Sequence, residues 1–303
     1  MKTPWMKFAA LGAAGLLALT ACSPGAQDDA AEAEGGDDAD TITVGIKYDQ
    51  PGLGFREGDN DPTGFDVDVA KAVLGEMGYE ENQIEWTESP TPQRENMLEN
   101  GQVDMIFATY SITEERAERV DFAGPYFMAG QDILVQADEE EITGPEDLNG
   151  RNLCSVSGST PAQNVRDRYA DEVELVEQNG YTECLTFLQS GQVDAVTTDD
   201  IILAGLAASD EYADEFKVVG NPFSEEPYGV GLPPDSDETC EEVNQAIQTL
   251  ADDGTIDELL ASNTEGVDYE ANADLNDNIE LVTCGDIAGS LAEDTEEGQE
   301  EEQ

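Results

Sequence analysis

The sequence predicts a two-lobed α/β protein in which the second lobe is inserted into the first. Segments with strand and helix patterns alternate from Thr41 onward, which is typical of sheets covered by helices on both faces. Two seven-residue segments, 98–104 and 188–194, share five residues in the same order of helix end, glycine and strand. Two extended segments, near 132–136 and 227–232, would carry the chain between the lobes and act as a hinge.

The first predicted strand, 42–46, is followed by a helix at 65–77 whose apolar residues recur at helical spacing. The alternation continues along the chain, and Pro125-Tyr126-Phe127 indicates a corner before the predicted strand 132–136. Further strands are predicted at 84–86, 103–108, 132–136, 152–156, 174–176, 194–197, 216–219 and 228–232. Further helices are predicted at 94–99, 162–169, 181–189, 201–208 and 241–252.

The domain boundaries are predicted from these elements and from composition. Lobe 1 comprises 41–135 and 227–285, and lobe 2 comprises 136–226. Residues 23–40 contain seven acids and no base, which is typical of a flexible acidic linker. Residues 286–303 contain eight acids and no base and are predicted to form a disordered acidic tail.

The chain carries 70 acidic residues, 12 basic residues and no histidine, for a formal net charge of −58. This charge excludes most nucleic-acid binding, which needs a basic face. The missing histidine excludes Ser-His-Asp and Cys-His catalysis and histidine-ligated metals, and we expect no cofactor and no metal. The acidic excess favours a solvated surface adapted to high salt. A dedicated cation site is the alternative, and no EF-hand spacing supports it.

The N-terminus has the features of an export signal. Lys2 and Lys7 flank the start of a mostly apolar stretch, 8–21, that is too short to span a bilayer. It ends in Leu-Thr-Ala-Cys, which resembles the lipobox of bacterial lipoproteins, so residues 1–22 are interpreted as a lipoprotein signal peptide. Lipidation of Cys22 would anchor the protein to the outer face of the cell membrane. An ordinary secretory signal with an incidental cysteine is the alternative.

Arg116 is the basic residue whose position is most informative. It follows the predicted strand 103–108, and in open α/β sheets ligands bind beyond the carboxyl ends of the strands. Ser111 and Thr113 can donate hydroxyl groups there, and a guanidinium can bind a carboxylate through two parallel hydrogen bonds. From these residues alone, an arginine in a surface ion pair at i,i+4 spacing is the stronger interpretation.

Five motifs then occur in a fixed order: GFDVDVA at 64–70, SITEER at 111–116, DFAGPY at 121–126, LNGR at 148–151 and SGST at 157–160. Over residues 41–260 the chain resembles the family 3 extracellular solute-binding proteins, the polar amino-acid receptors of ABC importers. Leu74 is a mild departure, because the family usually has a small residue or Val there. The resemblance implies a periplasmic-binding-protein-like type II fold: two α/β lobes joined by two hinge crossings, with the ligand in the cleft.

The resemblance also implies roles for the matching residues. Arg116 would hold the α-carboxylate of an amino acid, and Ser111 and the backbone at Thr109 would contact its amino and carboxyl groups. Asp199, after the predicted strand 194–197, would pair with the α-ammonium. Its alternative role is an N-cap of the following helix.

The start of a helix in the second lobe is predicted to contribute further contacts to the α-carboxylate of the amino acid. Ser159 and Thr160 precede Pro161, and proline is favoured at the first position of a helix. The free N–H groups of such a start can bind a carboxylate. A capping motif without a ligand is the alternative.

The distal end of the ligand would be recognised by two cations. Lys47 follows the first strand, and Arg94 matches a position that is arginine in acidic-amino-acid receptors. Two positive charges favour a second carboxylate, so the resemblance implies glutamate, then aspartate, then glutamine. Gln50 is a further lining candidate. Phe55 or Phe65 could cover the methylene groups of the ligand, although core packing is favoured for Phe65.

The predicted function is therefore an exported, monomeric receptor that binds an amino acid, has no enzymatic activity and delivers its ligand to the permease of an ABC importer by closure of its two lobes. Two alternatives share the fold. One is a dehydratase-type enzyme, and the other is a ligand sensor that acts through a receptor kinase.

The four cysteines that follow Cys22 are even in number, which in an exported chain suggests two disulfides. Three connectivities are possible. Because a bridge between the lobes would oppose the hinge, we predict Cys154–Cys184 and Cys240–Cys284. Each disulfide would close a loop and stabilise the folded state by about 3–4 kcal/mol in the chain-entropy model. No CxxC pair supports a metal site instead.

Overall fold

The computed structural model describes residues 41–168, 173–212, 214–277, 279–287 and 289–291. The predicted signal peptide and linker, 1–40, lie outside the described residues, as do 292–303 of the predicted tail. The strands are β1 (Ile42–Ile46), β2 (Asp49–Gln50), β3 (Gly54–Phe55), β4 (Ile84–Glu88), β5 (Met105–Phe107), β6 (Asp121–Ala129), β7 (Gln131–Gln136), β8 (Asn152–Val156), β9 (Glu174–Gln178), β10 (Ala195–Asp199), β11 (Phe216–Val218) and β12 (Glu226–Leu232). The α-helices are α1 (Phe65–Glu76), α2 (Arg94–Glu99), α3 (Glu114–Ala117), α4 (Thr160–Arg168), α5 (Tyr181–Gln189), α6 (Asp200–Ala207), α7 (Asp237–Asp252), α8 (Thr255–Asn263) and α9 (Ala273–Asn276).

Two five-stranded sheets organise these elements. The first sheet has the order β4-β1-β5-β12-β6, and the second has the order β11-β7-β10-β8-β9. In the first sheet β1 is parallel to β4 and β5, and in the second β8 is parallel to β9 and β10. β12 and β7, the strands next to the changes of sheet, run antiparallel to their neighbours. The chain therefore forms two α/β lobes, one around each sheet.

The first change of sheet lies before the predicted one. Segment 132–136, predicted as a crossing, belongs to β7, which pairs with β10 and β11 in the second sheet. Segment 227–232 likewise belongs to β12 in the first sheet. The chain crosses instead at residue 130 and again between 219 and 225. The first part of lobe 1 was predicted to end at residue 135, and the structure has the chain leave the first sheet five residues earlier, at residue 130.

Strand β6 contains a proline that suggested a corner in the sequence. Pro125 lies in the middle of this nine-residue strand, within residues 121–129. Proline cannot donate a ladder hydrogen bond, so it is tolerated on an edge strand. β6 is the edge of the first sheet, which explains why the strand continues through Pro125.

The two matching segments of the sequence adopt the same local structure. Gly101 and Gly191 follow α2 and α5 with φ of 62° and 70°, a left-handed conformation that glycine adopts without strain. The aspartates that end the segments also act alike. Asp104 accepts a hydrogen bond from the Thr43 N–H at 2.7 Å, and Asp194 accepts one from the Asn152 N–H at 2.8 Å. Each aspartate fixes a neighbouring parallel strand.

The C-terminal segment packs on the first sheet. The Asn276 amide group bonds the N–H and the C=O of Met128, both at 2.9 Å, and the Val282 N–H donates to the Gly124 carbonyl at 2.7 Å. Ile287 is only 6% exposed. Packing of the described chain therefore continues beyond residue 285, where the sequence predicts the acidic tail to begin.

Both predicted disulfides are confirmed. Cys154–Cys184 joins β8 to α5 within the second lobe, across 30 residues of sequence. Cys240–Cys284 joins α7 to the C-terminal segment within the first lobe, across 44 residues. Neither bond links the two sheets.

Candidate functional site

The predicted site residues gather where strands of both sheets end. Lys47 follows β1, Thr109 and Ser111 follow β5, and Asp199 is the last residue of β10. The carboxyl ends of parallel strands are the usual ligand-binding edge of an α/β sheet. The two lobes present these edges to one cleft, because residues of the first lobe contact residues of the second at this edge.

Arg116 is one such contact. Its guanidinium is buried, with the residue 8% exposed, and Nη1 donates to the Ser111 carbonyl at 2.6 Å. Nη2 donates to the Gly158 carbonyl of the second lobe at 3.1 Å. Glu95 lies 3.7 Å from Nε. The surface ion pair that the sequence alone favoured is therefore wrong for Arg116, because this guanidinium is buried and spans the cleft.

The hydroxyl groups of Ser111 and Thr160 meet across the same cleft, with their oxygens 3.3 Å apart. Thr160 is the first residue of α4, and its hydroxyl donates to Glu226 Oε2 at 2.6 Å. Ser159 Oγ accepts a hydrogen bond from the Ala162 N–H at 3.2 Å. Ser159 thus performs the capping that the sequence offered as its alternative role.

Asp199 lies at the N-cap position of α6 but does not cap this helix. No hydrogen bond joins its side chain to the first turn of the helix; Oδ2 instead accepts one from the Tyr228 hydroxyl at 2.6 Å. The residue is 3% exposed, and among the described residues Oδ1 has no hydrogen-bond partner. A buried polar oxygen without a partner is uncommon in folded proteins.

Successive contacts connect Asp199 to Arg116. Tyr228 pairs with Ser111 through a β-bridge, and the Ser111 carbonyl accepts from Arg116. Burial, and after it the negative charge of Glu226, raise the pKa of Asp199 well above its ordinary value. Burial and the neighbouring Arg94 lower the pKa of Arg116 to about 10. Both shifts follow from charges held away from water.

Thr109 has an unusual backbone conformation, with φ of 46°, outside the range common for threonine. Its N–H donates to Asp66 Oδ2 at 2.9 Å, and its hydroxyl exchanges hydrogen bonds with the Gln50 side-chain amide. Burial raises the pKa of Asp66 to about 6, against hydrogen bonds from Tyr126 and Thr109. The turn after β5 is therefore held in place from α1 and from β2.

The two predicted distal cations lie in different surroundings. Lys47 is 3% exposed, 3.1 Å from Asp49 Oδ1, and donates to the Thr91 hydroxyl at 3.3 Å. Arg94 donates to the Ala108 carbonyl at 2.9 Å, and its guanidinium lies 4.1 Å from the centre of the Tyr110 ring. Arg94 Nε has no partner among the described residues.

Two neighbouring cavities mark the cleft. One of about 350 Å³ is lined by Arg116, Ser159 and Thr160, and another of about 500 Å³ is lined by Lys47. Pro92 borders both. Among the described residues, no group of His, Cys, Asp and Glu side chains could hold a metal ion. Of the two aromatic candidates, Phe65 is fully buried and stacks edge-on against Phe127, whereas Phe55 is 38% exposed.

Sequence reasoning missed three residues that shape this site. Glu226 is 2% exposed and accepts hydrogen bonds from Thr160, Ser224 and Asn164. Glu95 accepts from the Tyr110 hydroxyl at 2.7 Å beside Arg116. Asp49 pairs with Lys47. No sequence signal separates them from the many surface acids of this chain, although Glu226 directly precedes Pro227 at the start of a strand.

A sequence model of the bacterial extracellular solute-binding proteins, family 3, matches residues 42–264. The chain belongs to this family. The family description makes the chain an exported binding protein rather than an enzyme. Among the described residues, no helix combines the length and the apolar character needed to cross a membrane.

Two curated relatives illustrate the range of this family. The chain is 46% identical over 269 residues to the glutamate-binding protein GluB of Corynebacterium glutamicum, covering 84% of this chain and 89% of that one. It is 37% identical over 224 residues to the ABC transporter glutamine-binding protein GlnH of Bacillus subtilis, covering 73% and 80%.

Solved structures of amino-acid-binding proteins share the fold. An ancestral arginine-binding protein bound to glutamine superposes with a TM-score of 0.66 at 33% identity, covering 73% of this chain and 96% of that one. An ancestral amino-acid-binding protein, described as a precursor of cyclohexadienyl dehydratase, gives 0.65 at 29% identity, covering 73% and 93%. The predicted periplasmic-binding-protein-like type II fold is thereby confirmed.

Proposed function

We propose that this protein is the amino-acid receptor of an ABC importer and that glutamate is its preferred ligand. Membership of the family and the names of its relatives support an amino acid as the ligand and an importer as the partner. The observation that carries the proposal is that each lobe contributes one buried ionisable side chain where the lobes meet, the guanidinium of Arg116 from the first lobe and the carboxyl group of Asp199 from the second. An amino-acid zwitterion has a carboxylate that can bind Arg116 and an ammonium group that can bind Asp199.

In this proposal the ligand bridges the two lobes. Its α-carboxylate binds Arg116 and the Ser111 hydroxyl, with Thr160 and the start of α4 on the far side. Its α-ammonium binds the free oxygen of Asp199. The α-carboxylate contacts both lobes and the α-ammonium contacts the second, so the bound amino acid stabilises the closed arrangement that the permease recognises.

The side chain of the ligand extends toward Lys47. This lysine is buried beside a cavity large enough for a short side chain, and Arg94 adds positive charge near the turn after β5. Two relatives named for glutamate, at 46% and 43% identity, favour an acidic ligand, while those named for glutamine reach 37% and 40%. We rank the ligands as glutamate, then aspartate, then glutamine.

We also propose that the mature protein is a monomer tethered through a lipid on Cys22, with 23–40 as its leash. The lipobox-like sequence supports this attachment. Metabolic labelling with a radioactive fatty acid tests it: label is expected in the wild type and absent in Cys22→Ala.

Titration calorimetry of Arg116→Ala with the preferred amino acid tests the site. Losing one member of a buried charged contact costs about 2–5 kcal/mol, so affinity should fall by about 30-fold to several-thousand-fold. Arg166→Ala is the matched control, because the side chain of this arginine is 38% exposed and pairs with Glu177 on the surface. Equal affinity of wild type and Arg116→Ala would refute the assignment, and recovery of a chemically altered ligand would refute a receptor role.

A further inference from the structure

The cavity beside Lys47 has more negative than positive side chains in its lining, which is unexpected for a pocket that would bind the carboxylate of glutamate. Among the described residues that line it, the single cation Lys47 faces three carboxylates, those of Asp49, Glu88 and Glu183. Glu88 and Glu183 are exposed at the rim. Asp49 differs from them, because it directly contacts the buried cation.

Lys47 already forms an ion pair with Asp49. Lys47 Nζ lies 3.1 Å from Asp49 Oδ1, and its other polar partner is the neutral Thr91 hydroxyl at 3.3 Å. The lysine side chain is 4% exposed and that of Asp49 is 28% exposed. A buried ammonium needs a counter-ion, and within the described residues Asp49 supplies it.

Asp49 also reaches across the cleft. A methyl group built on Gly180, in the second lobe, would lie 2.9 Å from Asp49 Oδ2 and 3.0 Å from Glu183 Oε2. The carboxylate of Asp49 therefore lies between Lys47 and the opposite lobe. This is the region into which the side chain of the proposed ligand extends.

We propose that Asp49 is the residue that sets the discrimination between an acidic and an amide ligand side chain. The inference rests on the proposed function. A distal carboxylate must share Lys47 with Asp49, and two carboxylates on one ammonium repel each other in this half-buried setting. A distal amide accepts a hydrogen bond from Lys47 without that repulsion. Asp49 therefore lowers the ratio of the glutamine Kd to the glutamate Kd, so the protein prefers glutamate less strongly than it would without this carboxylate.

Removing this charge tests the inference. In Asp49→Asn, the buried Lys47 loses its counter-ion, and a glutamate carboxylate supplies the missing charge. Repulsion between two charges about 6 Å apart at a partly buried site corresponds to a change of about 10- to 100-fold. We expect the ratio of the glutamine Kd to the glutamate Kd, from calorimetry at one fixed salt concentration, to rise by that factor.

Glu88→Gln is the matched control, because it removes the same charge from the same cavity without a contact to Lys47. In Glu88→Gln, the ratio of the glutamine Kd to the glutamate Kd should stay within about twofold of the wild-type ratio. The ligand-free Asp49→Asn protein should melt at a lower temperature, and glutamate should restore more of the loss than glutamine. A Kd ratio in Asp49→Asn equal to that in Glu88→Gln overturns the inference.

A double variant covers the case in which Asp49→Asn does not fold. Lys47→Gln with Asp49→Asn leaves no uncompensated charge in this pair, and it is compared with Lys47→Gln alone, in which Asp49 still repels a distal carboxylate. The ratio of the glutamine Kd to the glutamate Kd should be higher in the double variant than in Lys47→Gln, and equal ratios in these two variants also overturn the inference. A wild-type protein that binds no amino acid refutes the proposed function itself, whereas normal binding with unchanged ratios refutes only the role of Asp49.

Discussion

At the scale of single residues, Asp199 is the group whose environment is most unusual. It is buried, one oxygen is held by Tyr228 and the other has no partner among the described residues. The charged groups that act on it are Glu226 on β12, Asp200 on α6 and Arg116 on α3. The two carboxylates favour its neutral form, and the guanidinium opposes them only in part.

We predict that amino-acid binding releases protons. Because the pKa of Asp199 is raised, the ligand-free protein holds a proton there at pH values below that pKa, and the α-ammonium of the ligand favours the ionised form. Affinity should therefore rise as pH rises toward the pKa of Asp199 in the ligand-free protein and level off above it. Calorimetry in two buffers with different ionisation enthalpies counts the protons.

Two variants check the origin of this release. Glu226→Gln removes a charge that raises the pKa of Asp199, so fewer protons should be released per ligand. Asp199→Asn should release none from this site and bind weakly. Binding heats that are the same in both buffers throughout this pH range would contradict the prediction.

The resemblance to a known family predicts ligand-binding roles for Arg116, Ser111 and Asp199. The sequence could not settle the choice between capping and ligand binding for Asp199, since both roles place an aspartate before a helix. In the structure Asp199 accepts a hydrogen bond from Tyr228, 29 residues away along the chain, and does not cap α6; its ligand role stays a prediction. Asp49 and Glu226 were missed for a related reason, because burial distinguishes them from the other acids and burial depends on the tertiary fold.

At the scale of elements, the close approach of α6 to the loop after β2 depends on a glycine. A methyl group on Gly205 would lie 2.3 Å from the Pro51 carbonyl oxygen, far inside van der Waals contact. The second lobe thus meets the backbone of the first lobe at a point that has no room for a side chain. Because the contact joins the two lobes, it exists only while the cleft is closed at this point.

We predict that Gly205→Ala weakens amino-acid binding by about 10- to 100-fold, because overpacking typically costs about 1–3 kcal/mol and falls on the closed arrangement. Gly75→Ala is the matched control: it also lies in a helix, and a methyl group there meets nothing within 4 Å. Both changes improve helix propensity. Fluorescence or calorimetric titration should find Gly75→Ala unchanged, and equal affinity of the two variants would argue against the closed contact.

Most elements were predictable from the sequence because their periodicity is local. Helix 181–189 and strands 42–46 and 152–156 match the structure at both ends. Strand β6 was missed since Pro125 suggests a corner unless its edge position is known. Helix α8 was also missed: it begins after Gly254 and buries only Ile256, so it lacks a strong apolar stripe.

At the scale of the whole molecule, electrostatic repulsion is the dominant unusual feature. The formal net charge is −58, and bases at or near the surface form ion pairs such as Arg151 with Glu141 and Arg166 with Glu177. Such pairs cannot neutralise 70 acids. Mutual repulsion destabilises the compact state at low ionic strength.

We predict that the melting temperature of the ligand-free protein rises steadily between 0.1 and 2 M potassium chloride. The screening length falls from about 10 Å at 0.1 M to about 3 Å at 1 M, which removes most repulsion between surface carboxylates. Differential scanning calorimetry measures the rise, with sucrose of equal osmolality as the control that does not screen. An equal rise in sucrose, or no rise in salt, would contradict a charge effect.

The Cys240–Cys284 bond closes a loop of sequence that contains α8 and α9. A protease that cuts this loop once produces two fragments that remain covalently attached. Nicked protein would migrate as a single band on a denaturing gel until a reductant is added. Preparations of this receptor should therefore be checked for integrity under reducing conditions.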